Sequence, residues 1–265
     1  MPMSTERPLG VDAQGFIQAA PSGPVQLEFQ AVLADVCATL SAPAWALDGV
    51  YLYGSVARGD ACPGVSDLDL TLMLSEPPAA AVLTRLEALR CAMEQRHPQV
   101  IKIDFDIGYR TEVLAPEHLN RWGYWLKHHC RCVWGNDLTQ HFERFRPSRA
   151  IALAVNGDFK QVLSDYHSRI AQAGTDSERL PLQREAARKL IRATQILRAQ
   201  EALMWPQTLE EHVAMFIQQY PAMRITIAFF LFEARNPSAE REAFSTRLLT
   251  FVTWMVACQA SDAAS

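Results

Sequence analysis

The chain lacks a basic excess. It carries 25 Lys and Arg against 29 Asp and Glu, a formal net charge of -4. A general nucleic-acid binder must neutralise many phosphates, so this balance argues against long DNA or RNA as a partner. It still allows a small basic site for a single nucleotide. The sequence also lacks any apolar run of about 18 residues or more, so no membrane-spanning helix is expected. Residues 1–23 contain no apolar stretch of the length a secretory leader needs, and the cytoplasm is the expected compartment. A disulfide framework is missing too, because the six Cys at 37, 62, 91, 130, 132 and 258 are scattered through 265 residues. Cys130 and Cys132 beside His128 and His129 raise zinc as an option. Zinc sites favour wider pairs such as C-x2-C, however, and alternate residues on a helix diverge, so reduced thiols are expected. No internal repeat and no low-complexity segment is present.

What the chain does contain is ordinary in bulk: 49% apolar and 20% charged residues, in a length that suits one large domain or two smaller ones. Residues 1–23 are rich in Pro, Gly, Ser and Thr without periodicity and read as a mobile arm. Leu27, Val32, Val36 and Leu40 follow an amphipathic helix. The β-branched and aromatic stretch 49–53 reads as a strand entering a tight turn, with a short helix from 56 to 61 that Pro63 and Gly64 break. Over 67–74, Leu68, Leu70, Leu72 and Leu74 face one way and Asp67, Asp69, Thr71 and Met73 the other. A helix is expected over 79–96. Over 100–109, Ile101, Ile103, Phe105 and Ile107 share one face, and Lys102, Asp104 and Asp106 the opposite one. Both apolar faces are expected to pack on helices, leaving the carboxylates on an open face. From Glu117 onward no strand pattern appears. Helices are expected over 121–133, 148–171, 182–203, 209–220, 223–234 and 239–257. The Gly135-Asn136 turn is the expected boundary between an α/β half and a helical half.

The most informative stretch is Tyr51-Leu-Tyr-Gly-Ser-Val-Ala-Arg-Gly-Asp60, followed by Ser66-Asp-Leu-Asp-Leu70. Gly54 has no Cβ, so the backbone there can approach a phosphate closely. The Ser55 hydroxyl and the following backbone N–H groups can donate to phosphate oxygens, and a helix starting directly afterwards adds a positive dipole end. Arg58 and Gly59 are compatible with an anion site. Asp67 and Asp69, at i and i+2 of a strand, project side by side. Such neighbours repel unless a cation lies between them. A further carboxylate from Asp104 or Asp106 would complete a site for two magnesium ions, which would stabilise both the attacking and the leaving oxygen.

These residues carry a family resemblance. Gly54-Ser55, then Asp67-Leu-Asp69, then an acid on a later strand, resembles the polymerase-beta-type nucleotidyltransferase superfamily over residues 49–109. Tyr-Gly-Ser-x-Ala-Arg-Gly with Ser-Asp-Leu-Asp-Leu is especially similar to its minimal nucleotidyltransferases and aminoglycoside nucleotidyltransferases. The helical half resembles in layout the streptomycin/spectinomycin adenylyltransferases. The resemblance implies an α+β fold: a nucleotidyltransferase domain with a mixed β-sheet flanked by helices at 24–135, and a helical, acceptor-binding bundle at 136–265. It implies that Asp67 and Asp69 ligate magnesium and that Gly54 and Ser55 hold the β- and γ-phosphates. It places the third acid on the strand of Asp104 and Asp106. Asp104 is taken as that acid, ligating metal and helping to deprotonate the acceptor, and Asp106 stays open as the alternative.

In the helical half, Arg184, Arg188 and Arg192 recur at i+4, opposite Ala186, Leu190, Ala193 and Leu197, and Arg192 is the candidate for a nucleotide contact. Trp122, Trp125 and Trp134 are weighed as pocket walls against core packing. Asp158 and Asp165 are weighed as contacts to a cationic acceptor against surface acids. His128 and His129 receive no catalytic role. The implied reaction is attack of a hydroxyl on the α-phosphorus of ATP with release of pyrophosphate. The implied partners are a nucleoside triphosphate and a small hydroxylated acceptor, an aminoglycoside-like antibiotic foremost, as in antibiotic resistance. The expected assembly is a monomer or a homodimer. Alternatives are a protein-modifying AMP transferase of toxin–antitoxin type and a non-catalytic nucleotide-binding regulatory module.

Overall fold

The computed structural model describes residues 9–19 and 23–263. The chain divides into two compact units, one spanning Ile17–Phe145 and the other joining Arg146–Ser265 to Met1–Phe16.

The Ile17–Phe145 unit begins with α1 (Leu27–Leu40), whose buried row is Phe29, Val32, Val36 and Leu40. Leu27 departs from the expected stripe and is 78% exposed. It lies off the i, i+3, i+4 register that Phe29 fits. Next come β1 (Leu47–Tyr53), α2 (Gly54–Arg58), β2 (Leu68–Leu74), α3 (Ala80–Arg96) and β3 (Ile103–Tyr109). They are followed by α4 (Arg110–Val113), α5 (Tyr124–His129) and β4 (Arg131–Gly135). The four strands form one mixed sheet in the order β3-β2-β1-β4, with β2 and β3 parallel and the other pairs antiparallel. Helix α3 is the crossover that the parallel pair requires. The architecture is α+β.

One sheet face buries the Leu row. Leu68, Leu70 and Leu72 pack with Val50, Leu52 and Ile103, under the inner row of α1 and Leu86 and Met93 of α3. Ile101 was expected to extend this face, but it precedes the strand and is 61% exposed.

The opposite face is not open along its length. Thr71 and Met73 are fully buried there. Tyr51 and Met73 pack with Val113, Trp122, Leu126, Cys130, Leu138 and Phe142 in a second core. Along β2 this face reads Asp69, Thr71, Met73, passing from charged to apolar, and the segment after β3 covers the apolar end. Only the acidic end stays accessible.

That covering segment contains the largest departure from the sequence pattern. Residues 121–133 read as a single helix. They form instead a π-type turn (Leu119–Gly123), α5, and then β4. Strand β4 pairs with the edge of β1 that would otherwise expose its backbone groups. Beyond the Gly135-Asn136 turn, Leu138 and Phe142 enter the second core, and the compact unit runs to Phe145.

The other unit is helical: α6 (Arg149–Asn156), α7 (Phe159–Gln172), α8 (Asp176–Ala193), α9 (Leu209–Gln219), α10 (Arg224–Arg235) and α11 (Arg241–Ala263). No strand element occurs among its described residues. The helix expected over 148–171 is broken at Gly157 and Asp158. The helix expected over 182–203 starts earlier, where Thr175 and Glu178 form a capping box, and it ends at Ala193 in a tight 3-10 turn. Leu163, Leu190, Phe216, Phe230, Phe244 and Phe251 belong to the single core of this unit.

Of the segment read as a mobile arm, residues 1–8 and 20–22 lie outside the described residues. The described part, 9–19, is held. Val11 and Ile17 are buried, the Trp205 N–H donates to the Leu9 carbonyl, and the Ile17 N–H donates to the Phe145 carbonyl. Polar composition concealed two apolar anchors. Among the described residues, no helix is long and apolar enough to cross a membrane.

Candidate active site

The register of the sheet assembles the site. Tyr53 on β1 stands opposite Asp69 on β2, and Asp69 stands opposite Asp104 on β3. The three residues form one row across three strands, with side chains on one face. Asp67 lies just outside β2, where the Leu68 N–H donates to the Lys102 carbonyl. One carboxylate oxygen each from Asp67, Asp69 and Asp104 falls within 4.8 Å of the others, and all three side chains are partly buried.

Gly54 follows Tyr53 directly and has φ +72°. A Cβ there would stand 1.9 Å from Asp69 Oδ2. The turn and the Asp pair are therefore one packed constellation, in which the missing side chain of Gly54 makes room for the Asp69 carboxylate. Ser55 follows as the second residue of α2 and is half-buried.

Burial first, then the charges of Asp67, Asp104 and Asp106, push the Asp69 carboxyl up to about 7, against the opposing pull of Lys102. Protein burial and three neighbouring acids thus make the negative charge of Asp69 costly, and a cation among them relieves that cost. The donor set consists of carboxylate oxygens alone, the hard ligands that suit magnesium or manganese. Asp67, Asp69 and Asp104 can hold such an ion.

The two acids of β3 separate in placement. Asp104 joins Asp67 and Asp69. Asp106 sits one row further in, opposite Thr71, and accepts a 2.8 Å hydrogen bond from the Tyr53 hydroxyl. Burial above all, then Asp106 and Asp69, raises the Tyr53 phenol far above its ordinary range, so it stays protonated and donating. Tyr53 packs edge-on against Trp125 at 4.9 Å, and Trp125 Nε1 donates to Thr71 Oγ1 at 3.1 Å.

Two side chains of this site were overlooked as contributors. Tyr53 sits beside the Gly-Ser turn, and its place in the row emerges only with the strand register. Lys102 shares the face of Asp104, as the alternation predicts, and its ammonium lies 2.5 Å from Asp104 Oδ1. The remaining candidates are placed elsewhere. Arg58 ends α2 and pairs with Asp60 at 3.2 Å, both exposed. Arg192 lies exposed on α8, in the other unit, where Arg188 pairs with Glu185. Trp122 is core, and Trp134 packs at the edge of the Leu-row core. Asp158 pairs with Lys189 at 2.8 Å, and Asp165 accepts from Gln161. His128 accepts from the Phe145 N–H and contacts the Gln18 carbonyl. Burial pushes it down to about 4, which keeps it neutral. Cys130 is buried against Thr71, and burial raises its thiol well above the ordinary range.

Residues 37–119 match the family model described as the nucleotidyltransferase domain. That span contains the Gly-Ser turn and every acid of the cluster. The fold agrees: the chain is similar to the crystal structure of spectinomycin adenyltransferase AAD(9) from Enterococcus faecialis, with a TM-score of 0.52 and 14% identity. The match covers 83% of this chain and 98% of that one. That protein was solved with ATP and spectinomycin. At this identity the likeness shows the fold. No curated protein matches the sequence.

Proposed function

We propose that the chain is a magnesium-dependent nucleotidyltransferase that moves AMP from ATP to a hydroxyl of a small acceptor of aminoglycoside type and releases pyrophosphate. One observation carries the reading. Asp69 rests over Gly54 while Asp67 and Asp104 bring oxygens within 4.8 Å, so a phosphate turn and a cation site coincide. The acceptor class is supported by the similarity to a protein solved with ATP and spectinomycin.

In this reading Gly54 and Ser55 hold the β- and γ-phosphates, and Asp67, Asp69 and Asp104 hold the divalent ions. Magnesium would supply charge neutralisation along the phosphates. The acceptor oxygen forms a bond to the α-phosphorus, the bond from that phosphorus to the bridging oxygen breaks, and pyrophosphate leaves with the electron pair. Asp104 receives the acceptor proton. Positioning and charge neutralisation provide most of the acceleration in such transfers. Arg58 and Arg192 are the proposed further nucleotide contacts. The proposed setting is the cytoplasm, as a monomer or homodimer.

The test offers purified protein ATP, magnesium and a panel of aminoglycosides including spectinomycin. Pyrophosphate release and the mass of a nucleotide adduct are measured. Asp67→Ala and Asp69→Ala are expected to abolish release with the fold retained. Undiminished turnover in either variant overturns the assignment. ATP binding without turnover on any small molecule or protein points instead to a regulatory module.

A further inference from the structure

We propose that Lys102 is a built-in competitor for the acid cluster that couples cation binding to nucleotide binding. It holds Asp104 until a divalent ion takes that carboxylate, and then turns its ammonium to the phosphates of the donor nucleotide. The proposal rests on the nucleotidyl-transfer reading above.

Three observations carry it. First, Lys102 Nζ lies 2.5 Å from Asp104 Oδ1, on the one acid of the cluster that β3 supplies. A divalent ion that ligates Asp104 must share or displace this contact. Second, the backbone of Lys102 is fixed beside the other two acids: its carbonyl accepts from the N–H of Leu68, the residue between Asp67 and Asp69. With its ammonium on Asp104, whose oxygen lies within 4.8 Å of those of Asp67 and Asp69, Lys102 stands as a counter-charge beside the whole cluster. Third, its side chain is 54% exposed, whereas the paired Asp104 is 37% exposed. With more than half of the side chain in solvent, the long stem can swing without leaving a packed site. The acids neighbour Gly54, so a triphosphate gripped there brings its negative charge to the rim where Lys102 stands. An ammonium on a flexible stem suits such a moving contact, as a compact charge without a fixed fork.

The experiment uses the full chain and manganese(II), titrated by electron paramagnetic resonance, with and without a non-hydrolysable ATP analogue. Without nucleotide, Lys102→Met is expected to bind manganese about three- to fivefold more tightly than wild type. An ion pair this exposed is worth at most about 1 kcal/mol. The analogue is expected to bind the variant more weakly in the presence of manganese. The factor by which analogue and manganese strengthen each other should shrink, since coupling is reciprocal. Lys102→Arg should restore the nucleotide affinity. Manganese binding no tighter in Lys102→Met, or an undiminished coupling factor, overturns the proposal. Asp69→Asn separates the two claims. If it binds manganese as wild type does, or if wild type binds none, the cation site itself falls. If Asp69→Asn alone loses the ion while Lys102→Met behaves as wild type, only the role of Lys102 falls.

Discussion

Gly54 has no room for a methyl group. Its φ of +72° disfavours any L side chain, and the new Cβ would meet Asp69 Oδ2 at 1.9 Å. Gly54→Ala should therefore cost about 1–3 kcal/mol in urea unfolding, the usual range for a strained non-Gly position. Displacing Asp69 should also cost activity in the variant that remains folded: pyrophosphate release is expected to fall about 100-fold or more, as when a reacting group is misplaced by an ångström. Wild-type turnover by the folded variant would refute the packed constellation. The same residue predicts a pH dependence. Burial and the neighbouring acids raise the Asp69 carboxyl to about 7. Between the ordinary carboxylate range and pH 7 the folded chain holds a proton that the unfolded chain has released. Without divalent ion, the stability linked to this group is present at low pH and is lost as pH rises through that window. The slope is at most about 1.4 kcal/mol per pH unit. Manganese affinity should move the other way, rising with pH up to about 7 and levelling above it, because the ion competes with that proton. Asp69→Asn should flatten the stability slope in a pH series of urea unfolding curves.

At the scale of elements, the strand holding Tyr53 also organises the segment after β4. Tyr51 is fully buried; its hydroxyl donates to the Asn136 carbonyl at 2.6 Å and accepts from the Leu138 N–H at 2.8 Å. Tyr51→Phe leaves both backbone groups unmet and should cost about 1–3 kcal/mol in urea unfolding. A change within error would mean that water replaces the phenol. This segment is also where the sequence was least legible. Strands β2 and β3 announce themselves through alternating Leu or Ile and Asp, and the helices of the other unit through their apolar spacing. Strand β4 has five residues, Arg131–Gly135, and follows a single turn and a half of helix. Its period is too short to separate from a helix continuing through His128 and His129, and its reason for being a strand is the edge of β1. Such long-range pairing leaves no local mark. The acids were legible for the opposite reason, since a strand period of two puts Asp67 and Asp69 opposite the Leu row of one strand, and Asp104 and Asp106 opposite the apolar row of the other, before any pairing is known. What alternation could not decide was Asp104 against Asp106. The register decides their placement, setting Asp104 beside Asp69 and Asp106 beside Thr71.

At the scale of the whole molecule, the described residues 9–16 belong with the helical unit that begins at Arg146. The join is made at backbone groups: the Trp205 N–H donates to the Leu9 carbonyl at 2.8 Å, and the Arg146 side chain donates from Nη1 to the Gln14 carbonyl at 2.7 Å. Gly10 sits at that join with φ +70°, and a Cβ there would stand 1.7 Å from the Trp205 carbonyl oxygen. That neighbour is backbone and cannot swing aside. Arg198, only 4% exposed, stacks on the Trp205 ring at 4.9 Å, so a shift of Trp205 also loosens a buried cation. Gly10→Ala should therefore separate the first residues from the helical unit. Amide exchange is expected to speed up at Trp205, and the thermal midpoint to fall by several degrees, about what 1–3 kcal/mol produces in a chain of this size. The acid cluster belongs to the other unit, which has two cores of its own. Manganese binding by the folded variant should then match wild type. Unchanged exchange at Trp205 would show that the first residues are not an anchor. A loss of manganese binding would show that the acid cluster depends on the helical unit, and the independence of the two units would have to be abandoned.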